Sequence, residues 1–446
     1  MKRHMHMLLL ILVAVICNAA LAQTEFDWRA HEGQSIDVQL TQNIFARTIE
    51  PLIPEFEELT GISVDLEVLP EDQSRDRVRV ELQAGSSDLD VFWGEPSRFG
   101  RMFVDNNWYE PLDRYIADPS LSSPELGWPD DFMHATVDGV IIDGQIVGIP
   151  VDRQVAAFLS YRKDILDELG IEVPKTYDEL NKAIAEAHEG TPDDVYGITL
   201  RGRGSQTTSH FAVHLAEFGG AWEDENGNPT IDTPEAIAAF KWYGDVLREY
   251  GPPGAANMPW PDSNAIFLGG RAAFTIERSV NAGRALDPEL SVIGDHIGFA
   301  PLPVGPGGTE ARSNEPCKLP AIWSLSMSSF STQKEAAWYF IQWATSTEAQ
   351  IAYLKSGRPA ARDSAFFSEE FEDYRSENLS AYWDVLFEAN ETTCYKTPEF
   401  APPSIVDQGR ARDIIGEVVV TAILGGNVEA AARNAQEELE MLKARQ

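Results

Sequence analysis

The 446-residue chain is short of basic residues: 35 Lys and Arg stand against 71 Asp and Glu, which gives a net charge of −36. Binding to a phosphate backbone or to an anionic membrane depends on clustered Lys and Arg. The deficit therefore argues against a nucleic-acid-binding protein, and we expect no nucleic-acid partner.

Long apolar runs are also missing, since no segment after residue 22 has 18 continuous apolar residues. The first 22 residues combine a positive start at 2–3, an apolar run over 7–17 and A-x-A spacing over 20–22. That run is too short to span about 30 Å of hydrocarbon. We predict a secretory signal peptide over residues 1–22, cleaved after Ala22, and a periplasmic mature protein.

Cysteine is scarce, with three in the chain, of which Cys17 lies in the predicted signal peptide. The other two, Cys317 and Cys394, would be exported to an oxidising compartment, where disulfides form and persist. We predict a Cys317–Cys394 disulfide, with two separate buried thiols as the alternative.

The motifs of common enzyme classes are missing too: there is no H-E-x-x-H, no G-x-S-x-G, no P-loop and no G-x-G-x-x-G after a strand. His210 and His214 have zinc-ligand spacing but no third ligand, which favours a packing role. The Asp-Glu-Asn-Gly-Asn stretch at 224–228 favours a β-turn over a calcium loop, because Pro229 stands where an EF-hand needs glycine. We expect no catalytic residue, no cofactor and no metal site.

What is present is an alternation of strand and helix patterns. Ile36, Val38 and Leu40 alternate with polar residues, residues 49–59 have helical spacing before Gly61, and residues 62–68 alternate again. This βαβ unit predicts a parallel sheet and an α/β class. Further helices are predicted at 163–169, 177–188, 234–250, 334–345, 379–390 and 428–443, with Thr176, Thr233 and Ser331 as N-cap residues.

Aromatic residues are plentiful, and four tryptophans fall in predicted loops or strand ends: Trp93, Trp222, Trp260 and Trp323. An indole face suits the apolar C–H face of a sugar, although core packing is the alternative for each ring. Residues 88–93 predict a short buried strand. Trp93 and Glu95 at its carboxyl end are cleft candidates, because ligands in open α/β sheets bind outside those ends.

An ordered series of segments then resembles extracellular solute-binding protein family 1, the carbohydrate-binding components of bacterial ABC importers, related to maltose-binding protein. The segments include "DLDVFWG", "GQIVGIPVDRQVAAFLSYRKDILDELGIEVPKTYDEL", "FLGGRAAFTI", "GFAPLPVGPGG", "KEAAWYFIQWATSTEAQ" and "SGRPAARDSAF". They run across nearly the whole mature chain in the family's order.

The resemblance implies a two-lobed α/β periplasmic-binding-protein fold of type II. Each lobe is expected to be a mixed β-sheet flanked by helices, with the ligand cleft between the lobes. One lobe would comprise residues 23–152 and 304–362, and the other 153–303 and 363–446. The crossovers between them would fall near 150–153, 300–303 and 357–363.

The resemblance also implies that the protein captures a carbohydrate by hinge closure and delivers it to the membrane permease of an ABC importer. We expect the protein to be a monomer. Candidate ligand-binding residues come from the strand-end and aromatic patterns and from positions beside the crossovers. They are Asn43, Trp93, Glu95, Asp152, Arg153, Trp222, Trp260, Glu277, Arg278, Trp323 and Arg358.

Two alternatives stay open. A secreted carbohydrate-active enzyme would need two cleft carboxylates about 5–10 Å apart. The other alternative keeps the fold but has a sugar acid, a polyamine or iron as its ligand. A sugar that carries a carboxylate could pair with the guanidinium groups of Arg153, Arg201, Arg203, Arg278 and Arg358.

Overall fold

The structure is a computed structural model that describes residues 26–152, 157–278, 283–312, 322–377, 382–386 and 400–446. The signal peptide, Arg153, Cys317 and Cys394 lie outside the described residues. The cleavage site, the placement of Arg153 and the disulfide therefore stay predictions.

Two mixed β-sheets and a short hairpin organise the chain. The strands are Ser35–Thr41 (β1), Ser63–Leu69 (β2), Val91–Gly94 (β3), Ile141–Ile142 (β4), Gln145–Ile146 (β5), Ile149–Pro150 (β6), Ala157–Arg162 (β7), Tyr196–Thr199 (β8), Ala272–Arg278 (β9), Ile297–Pro301 (β10) and Ser324–Met327 (β11).

The first sheet has the order β2-β1-β3-β11-β6. Strand β1 runs parallel to β2 and β3, while β11 runs antiparallel to β3 and β6. The alternating Ile36, Val38 and Leu40 of β1 are at most 1% exposed. The predicted βαβ unit and parallel pairing are thus confirmed.

The second sheet has the order β10-β7-β9-β8, with β7 antiparallel to β9 and β10 and with β8 parallel to β9. Every residue of β9 is buried, including Glu277 and Arg278 at its carboxyl end. The two sheets give the chain the two-lobed α/β fold that the sequence predicted.

Helices cover both sheets. They are Ile44–Ile49 (α1), Ile53–Thr60 (α2), Glu71–Ala84 (α3), Pro96–Asp105 (α4), Asp113–Ala117 (α5), His134–Gly139 (α6), Lys163–Leu169 (α7), Tyr177–Gly190 (α8), Thr208–Glu217 (α9), Pro234–Tyr250 (α10), Trp260–Leu268 (α11), Gly308–Ala311 (α12), Lys334–Ala344 (α13), Thr347–Lys355 (α14), Asp363–Phe366 (α15), Glu369–Glu377 (α16), Gln408–Ile423 (α17) and Val428–Lys443 (α18). Residues 382–386 are also helical.

Side-chain caps fix the start of several of these helices. Thr176 and Glu179 form a capping box at the start of α8, and Thr233 accepts from the backbone of Ala236 at the start of α10. Helix α13 differs from the prediction, because its N-cap is Gln333. The Ser331 hydroxyl instead donates to Asp90 Oδ1 (2.5 Å), within the turn before the helix.

The single helix predicted over 49–59 is also divided. A 3₁₀ segment at Glu50–Leu52 separates α1 from α2, and both it and α2 begin with a proline in their first turn. Proline has no N–H to donate inside a helix, so it favours a new helix start. Gly61 ends α2 in the left-handed region (φ +72°), as predicted.

The segment 304–312, which follows β10, contacts helices of the second sheet. Val304 forms a β-bridge with Thr176 before α8, and Arg312 pairs with Glu217 of α9 at 2.9 Å. The residues at which the chain passes between lobes stay a prediction. In the described parts of the chain, no helix has the length and hydrophobicity needed to cross a membrane.

Candidate functional site

A cleft of about 840 Å3, including its open mouth, lies between the two sheets. From the first sheet, its walls contain residues 41–44 at the end of β1 and the start of α1, Trp93 of β3, and Trp323 before β11. Because β1 and β3 are parallel, their carboxyl ends meet at this edge. The remaining lining residues are Glu71, Arg75, Arg98, Arg201, Gln206, Ser209, Trp260, Arg278, Arg284, Arg358, Phe400 and Arg412.

Aromatic rings line both sides of the cleft. Trp93 and Trp323 stack with their ring centroids 5.9 Å apart and their planes at 26°. Trp260 begins α11, which packs against β8 and β9 of the second sheet. The cleft therefore has flat apolar faces from both sheets.

A hydrogen bond between Trp260 and Glu71 joins the two sides of the cleft. Trp260 Nε1 donates to Glu71 Oε2 at 2.7 Å, and Glu71 begins α3, which packs on β1 and β2. Burial opposes ionisation of Glu71, but Arg75 and this hydrogen bond lower the pKa of its carboxyl group. The bond exists only while the two sides are close together.

Arginine dominates the polar lining: seven of the eighteen lining residues are arginines, and Glu71 is the one acidic residue among them. Carboxylates in the wall behind the lining compensate some of this charge. Arg75 pairs with Glu95 through two hydrogen bonds (2.7 and 2.9 Å), and Arg201 pairs with Glu277 in the same way (3.0 and 2.6 Å).

The Arg201–Glu277 pair is buried. Burial favours the neutral acid, but Arg201 and the other donors outweigh it and lower the pKa of Glu277 to about 2. Glu277 is therefore an ionised partner that holds Arg201 in the wall.

Asp152 behaves differently. It is fully buried, Tyr353 donates to its Oδ2 at 3.3 Å, and Arg358 lies 3.6 Å away. Among the described residues, its Oδ1 has no hydrogen-bond partner. Burial outweighs Arg358 and raises the pKa of Asp152 to about 7.

Three lining arginines, Arg98, Arg284 and Arg412, have no carboxylate within 4 Å in the part of the chain that the structure describes. The Nε atoms of Arg98 and Arg284 are buried, with no acceptor in the described parts of the chain. Arg412 Nε donates to Thr208 Oγ1 (2.8 Å), and its Nη2 donates to the carbonyl of Ser205 (3.2 Å). Burial, followed by repulsion from other arginines, lowers the pKa of all three groups.

The structure brings most of the sequence-predicted residues together. Those that line the cleft are Asn43, Trp93, Trp260, Arg278, Trp323 and Arg358. Asn43 also caps α1, accepting from the backbone of Ala46 at 3.0 Å. Glu95, Asp152 and Glu277 lie behind the lining as partners of arginines. Contact of any of these residues with a ligand stays a prediction.

Trp222 lies elsewhere than expected. It is 2% exposed in the core around the second sheet, where its ring lies 6.1 Å from that of Phe211. The predicted turn forms, with a bridge between Glu223 and Pro229, and it folds the tryptophan inward. Trp222 is therefore a packing residue and not part of the cleft.

Sequence reasoning missed four of the arginines: Arg75, Arg98, Arg284 and Arg412. Arg75 lies in a run of alternating charges that is typical of a solvated helix face. Arg98 had a usable signal, because it lies five residues after Trp93, in the first turn of the helix that follows a sheet strand.

The histidine pair is structural. His210 Nδ1 lies 3.0 Å from the Tyr243 hydroxyl and His214 Nδ1 lies 2.6 Å from the Tyr177 hydroxyl. Burial lowers the pKa of His210 to about 4, so the ring is neutral at physiological pH. The described residues contain no group of three or more His, Cys, Asp and Glu side chains arranged to hold a metal ion.

Comparison with solved structures gives the fold. A solute-binding protein of Agrobacterium radiobacter with bound ribitol has a TM-score of 0.77 at 23% identity, covering 92% of this chain and 99% of that one. A maltose-bound T. maritima protein has a TM-score of 0.75 at 24% identity, covering 92% of this chain and all of that one.

Sequence comparison gives the family. The mannitol-binding protein of Pseudomonas aeruginosa is 27% identical over 71% of this chain and 70% of its own. The erythritol/L-threitol-binding protein of Mycolicibacterium smegmatis is 25% identical over 74% of this chain and 71% of its own. A family model described as bacterial extracellular solute-binding protein matches residues 42–351, most of the chain. The chain therefore belongs to the bacterial extracellular solute-binding protein family.

Proposed function

We propose that this protein captures a carbohydrate (a sugar, a polyol or an oligosaccharide) in the cleft and delivers it to the permease of an ABC importer. The observation that carries the proposal is the placement of tryptophans from both sheets, Trp93, Trp323 and Trp260, around one cleft. Relatives named for binding mannitol, erythritol and maltotriose support it.

Binding in such a cleft works by hinge closure. A ligand that contacts both sides has more contacts in the closed state, and that difference in affinity shifts the population toward closure. The rings offer stacking faces, while Thr41, Gln42, Asn43, Gln206 and Ser209 offer polar atoms for hydroxyl groups. No chemical step is needed.

The arrangement of acids favours binding over hydrolysis. A glycosidase needs a proton donor and a second carboxylate astride the scissile bond. Among the described lining residues, Glu71 is the one carboxylate, and its pKa is lowered, which does not suit an acid. Asp152 has a raised pKa but lies buried behind Arg358 and Tyr353.

The proposal extends to the form in which the protein works. We propose a mature periplasmic monomer that begins at Gln23 and has a Cys317–Cys394 disulfide. The charge and apolar pattern of residues 1–22 and the extracellular family support export. Intact mass with and without an alkylating agent checks both points, and two cysteines alkylated without prior reduction would contradict the disulfide.

A thermal-shift screen of the purified mature protein tests the proposed function. The panel contains sugars, polyols, oligosaccharides and sugar acids. At least one compound should raise the unfolding midpoint, because a ligand bound only by the folded state stabilises it by RT ln(1 + [L]/Kd), about 2.7 kcal/mol at a hundredfold excess over Kd. Chromatography should then return that compound unchanged. No midpoint shift across the panel, or turnover of the compound, would contradict the proposal.

Replacing Trp323 tests the stacking role. Trp323→Ala should weaken binding of the compound selected by the screen by about 1–3 kcal/mol, since a buried aromatic contact is lost. Trp343→Ala is the matched control, because Trp343 packs on Phe56 and Phe340 away from the cleft lining. Calorimetry on both variants decides: equal affinities would assign Trp323 to packing.

A further inference from the structure

The cleft has a charge of opposite sign to the chain. The protein has a net charge of −36, yet seven of its 35 basic residues line this one cleft as arginines. Five carboxylates lie within 4 Å of these arginines in the described ion pairs: Glu71, Asp72, Glu95, Asp152 and Glu277. All five contact Arg75, Arg201 or Arg358, so the charges of Arg98, Arg284 and Arg412 have no ion-pair partner among the described residues. Glu71 and Glu95 act on Arg98 and Arg412 only from a greater distance.

Such charges are costly in the unliganded protein. A guanidinium removed from water loses solvation that only a counter-charge or good acceptors restore. Arg412 is 7% exposed, and its neighbours Arg98 and Arg75 repel it, which together lower the pKa of its guanidinium. Neutral hydroxyl groups would supply acceptors but no charge. An anion would supply both.

Arg98 and Arg412 also approach from opposite sides. Arg98 lies in the first turn of α4, which follows β3 of the first sheet, whereas Arg412 lies on α17, which packs against α10 and α18 around the second sheet. Helices α4 and α17 meet across the cleft. The Phe400 ring, with Arg412 at 5.3 Å and Arg278 at 4.2 Å, gives this end of the cleft an apolar face.

From this geometry we propose that the solute is an acidic carbohydrate, whose carboxylate or phosphate group binds between Arg98 and Arg412 while its ring or carbon chain reaches the tryptophans. The inference rests on the proposed function and narrows it to one substrate class. A planar guanidinium fork matches the oxygens of either anion, and each bond to it is charge-assisted. An anion held from both sides would also favour the closed state.

Calorimetry with matched pairs tests the charge directly on the full mature protein. The pairs are D-galacturonate with D-galactose, D-gluconate with D-glucitol, and D-glucose 6-phosphate with D-glucose. We expect an acid to bind at least about a hundredfold more tightly than its neutral partner, the size of two charge-assisted hydrogen bonds. The first two pairs report on a carboxylate and the third on a phosphate.

The outcomes separate the two proposals. A neutral member that binds as tightly as its acid would overturn the acidic solute and leave carbohydrate capture standing. Failure of every acid to bind would also overturn the acidic solute. If no neutral or acidic carbohydrate of this set or of the screening panel bound, both the acidic solute and carbohydrate capture would be overturned.

Single substitutions locate the anion. Arg98→Gln and Arg412→Gln should each lower the affinity for the bound acid on the order of tenfold to a hundredfold. Arg101→Gln on α4 and Arg410→Gln on α17 are matched controls, because both side chains are half exposed and paired outside the cleft with Asp143 and Glu438. The controls should keep the affinity of the parent protein.

A stability measurement distinguishes a binding role from a structural one. Without ligand, the unfolding midpoint of Arg98→Gln should be no lower than that of the parent protein, because the substitution removes a charge that has no ion-pair partner among the described residues. Unchanged affinity for the acid in Arg98→Gln and Arg412→Gln would overturn this placement of the anion. This placement would also be overturned if both variants lost affinity for the acid and both had a lowered unfolding midpoint without ligand.

Discussion

Arginines on the outer surface and arginines in the cleft have opposite surroundings. Outside, Arg79, Arg101 and Arg410 are about half exposed, and each pairs with a carboxylate that is also solvated. In the cleft, Arg201, Arg358 and Arg412 are 6–7% exposed, and Arg412 has no carboxylate within 4 Å among the described residues.

The difference shows where charge carries function in this chain. Solvated pairs contribute little free energy, because water and salt screen them. A buried guanidinium interacts strongly with whatever lies beside it, since the local dielectric is low. The outer pairs are therefore replaceable, whereas the cleft arginines affect local stability and, in the proposal made above, select the chemistry of the ligand.

Removal of a buried counter-charge should have the largest effect on stability. Glu277→Gln leaves Arg201 buried without its carboxylate, which typically costs about 3–5 kcal/mol. Denaturant unfolding monitored by circular dichroism measures the loss. Glu438→Gln, which removes the exposed partner of Arg410, is the control. A loss below about 1 kcal/mol for Glu277→Gln would show that the buried pair behaves like a surface pair.

The second effect is a pH dependence from Asp152. With a pKa of about 7 in the folded protein and 3.8 as its ordinary value, the folded state holds a proton between about pH 4 and 7 that the unfolded chain has released. The contribution of Asp152 to the free energy of unfolding is therefore fully present below about pH 4 and is lost as the pH rises through 7. The total loss is up to about 4 kcal/mol.

Comparison with Asp152→Asn isolates that contribution, since Arg358, Tyr353 and Arg278 remain beside the site. Stability curves of the two proteins, measured by denaturant unfolding at several pH values, should diverge between pH 4 and 7. Parallel curves would contradict the raised pKa.

The smallest effects belong to the outer surface. Arg101→Gln and Arg410→Gln should each change the free energy of unfolding by less than about 1 kcal/mol, and added salt should reduce the difference further. Denaturant unfolding at low and high ionic strength checks this. A larger loss in either variant would remove the contrast between surface and cleft.

Individual strands and helices were predicted well from the residues, because hydrophobic period and capping are local signals, whereas the two-lobed arrangement was predicted from the family resemblance. The alternation at Ile36, Val38 and Leu40 defined β1, and Thr176 and Thr233 defined helix starts. Proline-driven division of the helix over 49–59 was missed, although Pro51 and Pro54 were visible, because the apolar spacing continued through it.

The cleft was predicted in part. Trp93, Trp260 and Trp323 were identified from loop and strand-end positions, but Trp222 had the same local signal and is buried by the folding of its turn. Arg412 follows β9 by more than 130 residues and meets Arg98 only through the packing of α17 against α4. Such long-range pairing has no local signature, so the pairing of Arg98 with Arg412 emerged only from the structure, whereas Arg201, Arg278 and Arg358 were named from the sequence.

Amide hydrogen exchange with and without ligand tests the central claim most directly, because it reports on both sides of the cleft at once. The ligand is the tightest-binding compound of the carbohydrate screen. Binding should slow exchange in residues 41–46, at the end of β1 and the start of α1, and also in residues 206–212, at the start of α9. Protection of only one of these segments, or of neither, would contradict capture of the solute between the two sheets.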